Sequence, residues 1–108
     1  MKNRYSLKSK ILFQKVLDQG KRNYTNHLSV FFLPSKTTKI GISIPRKSGN
    51  AVLRNKNKRQ IKNIINDFSK IDQLQKNIVI IVKKSFCELS FSEKQTKILD
   101  TLNKLIKP

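Results

Sequence analysis

The chain has 108 residues, 37% of them hydrophobic, which suits one small domain with a modest core. Twenty-four Lys and Arg against six Asp and Glu give a formal charge of +18, a balance that calls for a polyanion, with nucleic acid the usual partner and an anionic membrane surface second. A single cysteine, Cys87, and a single histidine, His27, exclude a disulfide framework and a Cys/His zinc site and fit a reducing cytosol.

Cys87 is therefore read as a packed thiol. No apolar run approaches the roughly 18 residues of a membrane span, and none follows Met1 to Arg4 as a signal peptide requires, so a cytoplasmic location without membrane contact is expected. Residues 10–18 are predicted as a helix with Ser9 as N-cap and Gly20 as its stop. Leu12/Val16 and Phe13/Leu17 form two adjacent i,i+4 stripes, wider than a short surface helix buries, so part of that width is expected to stay uncovered.

Residues 28–33 alternate as a strand, with Leu28, Val30 and Phe32 on one face and Ser29, Phe31 and Leu33 on the other. A turn at 34–36 leads to residues 39–44, where Ile40, Ile42 and Ile44 point inward and Lys39, Gly41 and Ser43 outward. These two strands are expected to form an antiparallel pair, apolar on one side and small, polar and aromatic on the other, a surface an extended chain can cross. Pro45 ends the second strand, and Gly49-Asn50 form a loop before a helix over residues 51–68.

Counting about 100° per residue, Ile61, Ile64, Ile65 and Phe68 share a core stripe while Asn55, Lys58, Arg59 and Lys62 occupy the adjoining arc. Arg54 has the azimuth of the core stripe but lies about 10 Å ahead of Ile61 along the axis, so it is expected to project past the core toward the mouth of the sheet. Residues 77–82 are apolar on both faces and read as a covered strand, parallel to one of the earlier two because a helix intervenes. Ser90 and Glu93 form a capping box that opens a last helix with Ile98, Leu102, Leu105 and Ile106 on its apolar face. The order is αββαβα.

Enzymatic chemistry has little to work with. Asp18, Asp67, Asp72, Glu88, Glu93 and Asp100 are scattered, and general acid–base or two-metal catalysis needs converging carboxylates. His27, alone at a strand edge, reads as a solvated or structural residue, and no P-loop, dinucleotide fingerprint or nucleophile elbow is present. Any catalysis nearby is expected to come from another molecule. The stretch KSGNAVLRNKNKR, residues 47–59, differs in kind: a helix N-terminus favours phosphate, Arg forks onto phosphate, and Asn reaches sugar hydroxyls and base edges. The alternative is a solvated basic helix face. Phe13 and Phe31 can face one groove where nucleotides stack, or simply fill core.

The run RKSGNAVLRNKNKRQIK, residues 46–62, resembles the signature of the bacterial ribonuclease P protein subunit family. The similarity extends through Leu7, the FQKV of residues 13–16, Gly20, the two strands, the aliphatic strand and the terminal helix. It implies an α+β fold over residues 1–108, a two-layer αβββαβα sandwich, ribosomal protein S5 domain 2-like, with a left-handed βαβ crossover against the usual right-handed rule. That order has one strand more than the pattern above, expected either between Gly41 and Arg46 or near residues 21–25.

The resemblance also implies a subunit of an endoribonuclease that matures tRNA 5′ ends, in which a large RNA is the catalyst, the protein carries no catalytic residue and is inactive alone, and Mg2+ is held mainly by the RNA. Its partners would be that catalytic RNA and precursor tRNA, with the protein monomeric. By matching position, Arg46, Lys47, Asn50, Arg54, Asn55, Lys58, Arg59 and Lys62 would bind RNA, and Phe13, Leu17 and Phe31 would line the groove for the 5′ leader. Leu17 stands where a second aromatic is frequent and Phe31 where tyrosine is common. Lys56 and Lys62 stand for arginines, keeping charge without the bidentate fork, and Asn57 replaces a residue that is often apolar. The other functional classes are a ribosomal-protein-like structural RNA binder and a self-sufficient metal-dependent nuclease.

Overall fold

The last strand in sequence occupies the middle of the sheet. The computed structural model describes residues 5–106; the basic N-terminal residues Met1 to Arg4 and the final two residues lie outside them. In chain order the elements are α1 (Lys10–Gln19), β1 (Lys21–Tyr24), β2 (Leu28–Pro34), β3 (Lys39–Ser43), α2 (Ala51–Asn66), β4 (Lys76–Val82), a single turn α3 (Lys84–Cys87) and α4 (Phe91–Ile106). The sheet runs β1-β2-β4-β3, with β4 antiparallel to β2 and parallel to β3. The α+β class holds, the additional strand is β1, and the β3–α2–β4 crossover joins parallel neighbours as expected.

The expected pairing of β2 with β3 is wrong. The two strands run in opposite directions, but β4 lies between them and hydrogen-bonds to both. The link between them does not close a hairpin. Ser35 N–H instead donates to the Gln75 carbonyl at 2.9 Å, while Thr38 Oγ1 donates to the Ile71 carbonyl at 2.7 Å and accepts from Gln75 N–H at 3.1 Å. The link is thus stitched to the loop that delivers β4. A strand apolar on both faces is stable only with neighbours on both edges and cover on both sides, and the centre supplies these.

On one face of the sheet Leu28, Val30, Ile40, Ile78, Ile80 and Val82 meet Ile61, Ile64, Ile65 and Phe68 of α2 and Ile98, Leu102 and Leu105 of α4. Each such side chain contributes roughly 1.5–3 kcal/mol relative to exposure. The α2 stripe read from periodicity is the buried one, and Phe86 of α3, in a turn that periodicity does not reveal, closes the core from the end of β4. The capping box is reciprocal: Glu93 N–H donates to Ser90 Oγ at 3.2 Å and Ser90 N–H to Glu93 Oε1 at 3.3 Å.

The other face carries α1. Ser9 Oγ accepts from Leu12 N–H at 3.2 Å, and the helix stops at Gly20, where a Cβ would overlap the Val16 carbonyl oxygen. Space, not unusual backbone geometry, requires glycine there, since φ is −72°. Val16 is fully buried while Leu12, Phe13 and Leu17 are half-buried and Ile11 is exposed, so the wide apolar band is covered only in part. Beyond α1 the N-terminal segment runs along β3, with Leu7 N–H donating to the Ile40 carbonyl at 3.1 Å. At the opposite end of the strands His27 Nδ1 lies 2.9 Å from Ser85 Oγ, and its carbonyl accepts from Lys83 N–H, a structural tie.

Candidate nucleic-acid interface

The Gly-Asn of the signature builds the start of α2. Gly49 has φ 149°, which demands glycine; a Cβ there would also lie 2.8 Å from Leu53 Cδ2, the end of a side chain that can move aside. Asn50 is the N-cap: its Oδ1 accepts from Leu53 N–H at 2.9 Å, satisfying one of the orphan donors of the helix end. The expected phosphate-facing entry therefore loses the Asn50 oxygen to capping, which leaves its Nδ2. Arg46 and Lys47 are exposed on the single turn that precedes it, and Ser48 is buried there.

Asn55, Lys58, Arg59 and Lys62 come together as expected. With Val52 they line an open hollow of about 550 Å³ on the outer arc of α2. Lys58 and Lys62 also border a smaller hollow of about 100 Å³ shared with Ser6, Leu7, Phe13, Ile40, Gly41 and Ile42, so two lysines link the basic helix face to α1. Arg54 stands apart from this group. It lines neither hollow and is half-buried, with its Nε enclosed and without a hydrogen-bond partner among the described residues.

Asn57, unusual for its position, is buried because α4 brings a lysine to it. Lys94 Nζ donates to Asn57 Oδ1 at 2.7 Å and to Gln60 Oε1 at 2.8 Å, and Asn57 Nδ2 donates back to the Leu53 carbonyl at 2.9 Å. Burial pushes the Lys94 ammonium below the ordinary lysine pKa; the nearby Cys87 thiol opposes that shift and Lys56 adds to it. Cys87, a free thiol as expected, is pushed up chiefly by burial, against the pull of Lys94 and with a smaller push from Glu88. The basic arc of α2 is thus clamped from beneath by a buried cation.

The second part of the site is the face of the sheet under α1. Strand register sets Arg22, Phe31, Val79 and Gly41 side by side in one row and Tyr24, Ser29, Ile81 and Ser43 in the next. Phe13 lies over Gly41, where a Cβ would come within 3.1 Å of its ring, so the absent side chain makes room for the aromatic. Phe13, Leu17 and Phe31 are all half-buried, so each packs in part and keeps part of its surface open. Sequence reasoning missed Arg22 and Tyr24. The Arg22 guanidinium carbon sits 5.4 Å from the centroid of the Tyr24 ring, and that ring meets Phe31 edge-on at 6.4 Å and 86°. Their signal was the i,i+2 spacing in KRNY, three polar residues and a tyrosine without apolar alternation to mark a strand.

The donors present do not fit a protein-held magnesium site. Among the described residues no three of His, Cys, Asp and Glu converge, Asp72 Oδ1 accepts from Tyr5 OH at 2.6 Å, and Glu93 is spent on the capping box. Magnesium needs several oxygen ligands in octahedral array, so no chemical step is assigned to a metal on this chain. Among the described residues no helix is long and apolar enough to cross a membrane.

Fold and site together define a class, the small and strongly basic α+β proteins that set a cationic helix beside a half-covered mixed sheet. The family model described as Ribonuclease P matches residues 1–106. The ribonuclease P protein component of Mycoplasmopsis pulmonis is 36% identical over 104 residues, covering 96% of this chain and 94% of that one. Among solved structures, the RNase P protein of Staphylococcus aureus superposes with a TM-score of 0.80 at 28% identity, covering 95% of each chain. That of Thermotoga maritima gives 0.80 at 25% identity, over 92% of this chain and 96% of the other. The chain belongs to the ribonuclease P protein family.

Proposed function

We propose that this chain binds the catalytic RNA subunit of ribonuclease P through α2 and its preceding turn, and the 5′ leader of precursor tRNA across the sheet face under α1. In this way it supports magnesium-dependent endonucleolytic removal of the leader, with the RNA supplying catalysis and holding the metal. The observation that carries the reading is one frame bearing two surfaces: the arc of Asn55, Lys58, Arg59 and Lys62, and the row of Arg22, Phe31, Val79 and Gly41 beneath Phe13. Lys58 and Lys62 border both.

The contribution is positional and electrostatic. A surface of charge +18 lowers the repulsion between two polyanions as they meet. The half-covered sheet adds contacts that precursor makes and mature tRNA does not, because only the precursor has a leader. Binding to RNA is accordingly steep in salt. The test is reconstitution with a bacterial catalytic RNA at low magnesium. Site-specific cleavage of precursor tRNA is expected only with RNA present, and Phe13→Ala with Phe31→Ala is expected to weaken precursor binding more than mature tRNA binding. Cleavage by the protein alone points to a self-sufficient nuclease. RNA binding without any gain in processing points to a structural RNA binder.

A further inference from the structure

We infer that Tyr24, braced by Arg22 and Phe31, is a stacking post for a nucleobase in the distal part of the leader, and that it sets the leader length needed for full binding. The inference rests on the groove being the path of the leader.

Tyr24 is 56% exposed, yet its ring is held on two sides. The Arg22 guanidinium stands 5.4 Å from its centroid, and Phe31 meets it edge-on at 6.4 Å. A ring fixed in orientation with surface still open, beside a cation, is the chemistry that captures an unpaired base of single-stranded RNA by stacking and attracts the phosphate next to it. Duplex RNA, whose bases are already stacked, has nothing to offer it.

Its place in the sheet gives the post a defined reach. Tyr24 heads the row Tyr24, Ser29, Ile81, Ser43, in which Ser29 is buried, Ile81 and Ser43 are half-buried and Tyr24 alone is exposed. Past Ser43 the chain passes directly into the turn that carries Arg46 and Lys47, next to α2. β1 and β3 are the two edges of the sheet, three inter-strand steps apart. At roughly 4.8 Å per step the row spans about 14 Å, the length of about four nucleotides at the roughly 3.4 Å spacing of a stacked strand and of fewer in an extended one. A leader that enters beside the basic turn therefore meets Tyr24 only with its farther nucleotides.

The experiment measures affinity of the reconstituted holoenzyme for precursor tRNAs whose leaders grow one nucleotide at a time, with mature tRNA as the zero point. Wild type, Tyr24→Ala, Tyr24→Phe and Arg22→Gln are compared. Wild-type affinity is expected to rise in two stages, and Tyr24→Ala to remove the second, weakening long-leader precursors about 5- to 10-fold, the low end for loss of one stacked base. Tyr24→Phe is expected to restore the second stage and Arg22→Gln to reduce it. Unaltered short-leader binding by Tyr24→Ala would exclude misfolding as the cause. An effect of Tyr24→Ala equal at every length, or absent at every length while wild type still prefers precursor, overturns the inference and leaves the groove reading intact. If wild type shows no preference for precursor over mature tRNA, the groove reading and the inference fail together.

Discussion

The ammonium of Lys94 on α4 is held by the amide oxygen of Asn57 on α2, at 2.7 Å, where a buried cation would ordinarily be paired with a carboxylate. Gln60 Oε1 accepts a second hydrogen bond from it at 2.8 Å, and the Phe86 ring lies 6.0 Å from the nitrogen. Hydrogen bonds to charged groups contribute about 1.5–3 kcal/mol, and removing a partner strands the charge. Asn57→Leu is expected to destabilise by about 2–3 kcal/mol, and Lys94→Met, which removes the charge itself, by about 1 kcal/mol. The double variant is expected to be more stable than the sum of the singles by about 2 kcal/mol. A urea-unfolding double-mutant cycle measures this; zero coupling would mean that the two residues do not act as a pair.

The same lysine gives stability an alkaline dependence. Its folded-state pKa lies below the ordinary 10.5 because burial disfavours the charge. Below the folded value both states bind the proton and the burial penalty is fully present. As pH rises through it, only the unfolded chain keeps the proton, so this contribution to stability increases until pH reaches the unfolded value. Cys87 works the other way, since its pKa is raised above 9.0 and stability is lost as pH rises past that point. In a Cys87→Ala background, the stability of the Lys94 protein relative to Lys94→Met is expected to rise with pH over the window that ends near 10.5. Urea unfolding at stepped pH reads it, and a flat difference contradicts it.

At the start of α2, capping and RNA contact can be separated. Asn50→Ala is expected to cost about 1 kcal/mol and Asn50→Ser almost nothing, since serine caps equally well. Gly49→Ala is expected to cost about 1–3 kcal/mol, because alanine must take a φ near 149° that L residues rarely adopt. If Asn50→Ser keeps the melting temperature but lowers affinity for the catalytic RNA, the free Nδ2 touches RNA; if both are kept, Asn50 is a cap only.

The exposed arc of α2 should behave as charge and little else. Lys58→Gln and Arg59→Gln lie on the solvent side of the helix, so each is expected to change stability by under about 0.5 kcal/mol. Each is also expected to reduce the slope of log affinity for catalytic RNA against log salt by about 0.7–0.9. Fluorescence titration over a salt series measures the slope. An unchanged slope with lower stability would return these residues to a structural role.

The α2 core stripe, the Ser90 capping box and the doubly apolar β4 were legible because each is a short-range pattern with one physical solution. The pairing of β2 and β3 was misread because alternation along a strand reports which face a residue takes, not which strand lies beside it, and the intruding strand comes more than thirty residues later. Arg22 and Tyr24 stayed hidden because β1 is four polar or aromatic residues whose membership of the sheet depends on β2. Asn57 had no local explanation at all. Its partner Lys94 sits 37 positions away, on the face of α4 that also carries Ile98 and Leu102, where a lysine reads as a solvated exception.

Placing β4 between β2 and β3 has a consequence for synthesis. The signature helix leaves the ribosome before the strand that completes the sheet beneath it, and until residue 76 and those after it arrive β3 has only the short N-terminal segment at Ile40 beside it. A nascent or truncated chain ending before β4 would carry its basic motif with neither the core beneath α2 nor a continuous face under α1. A fragment holding every residue of the signature but not β4 would bring charge to RNA without the sheet that gives it shape.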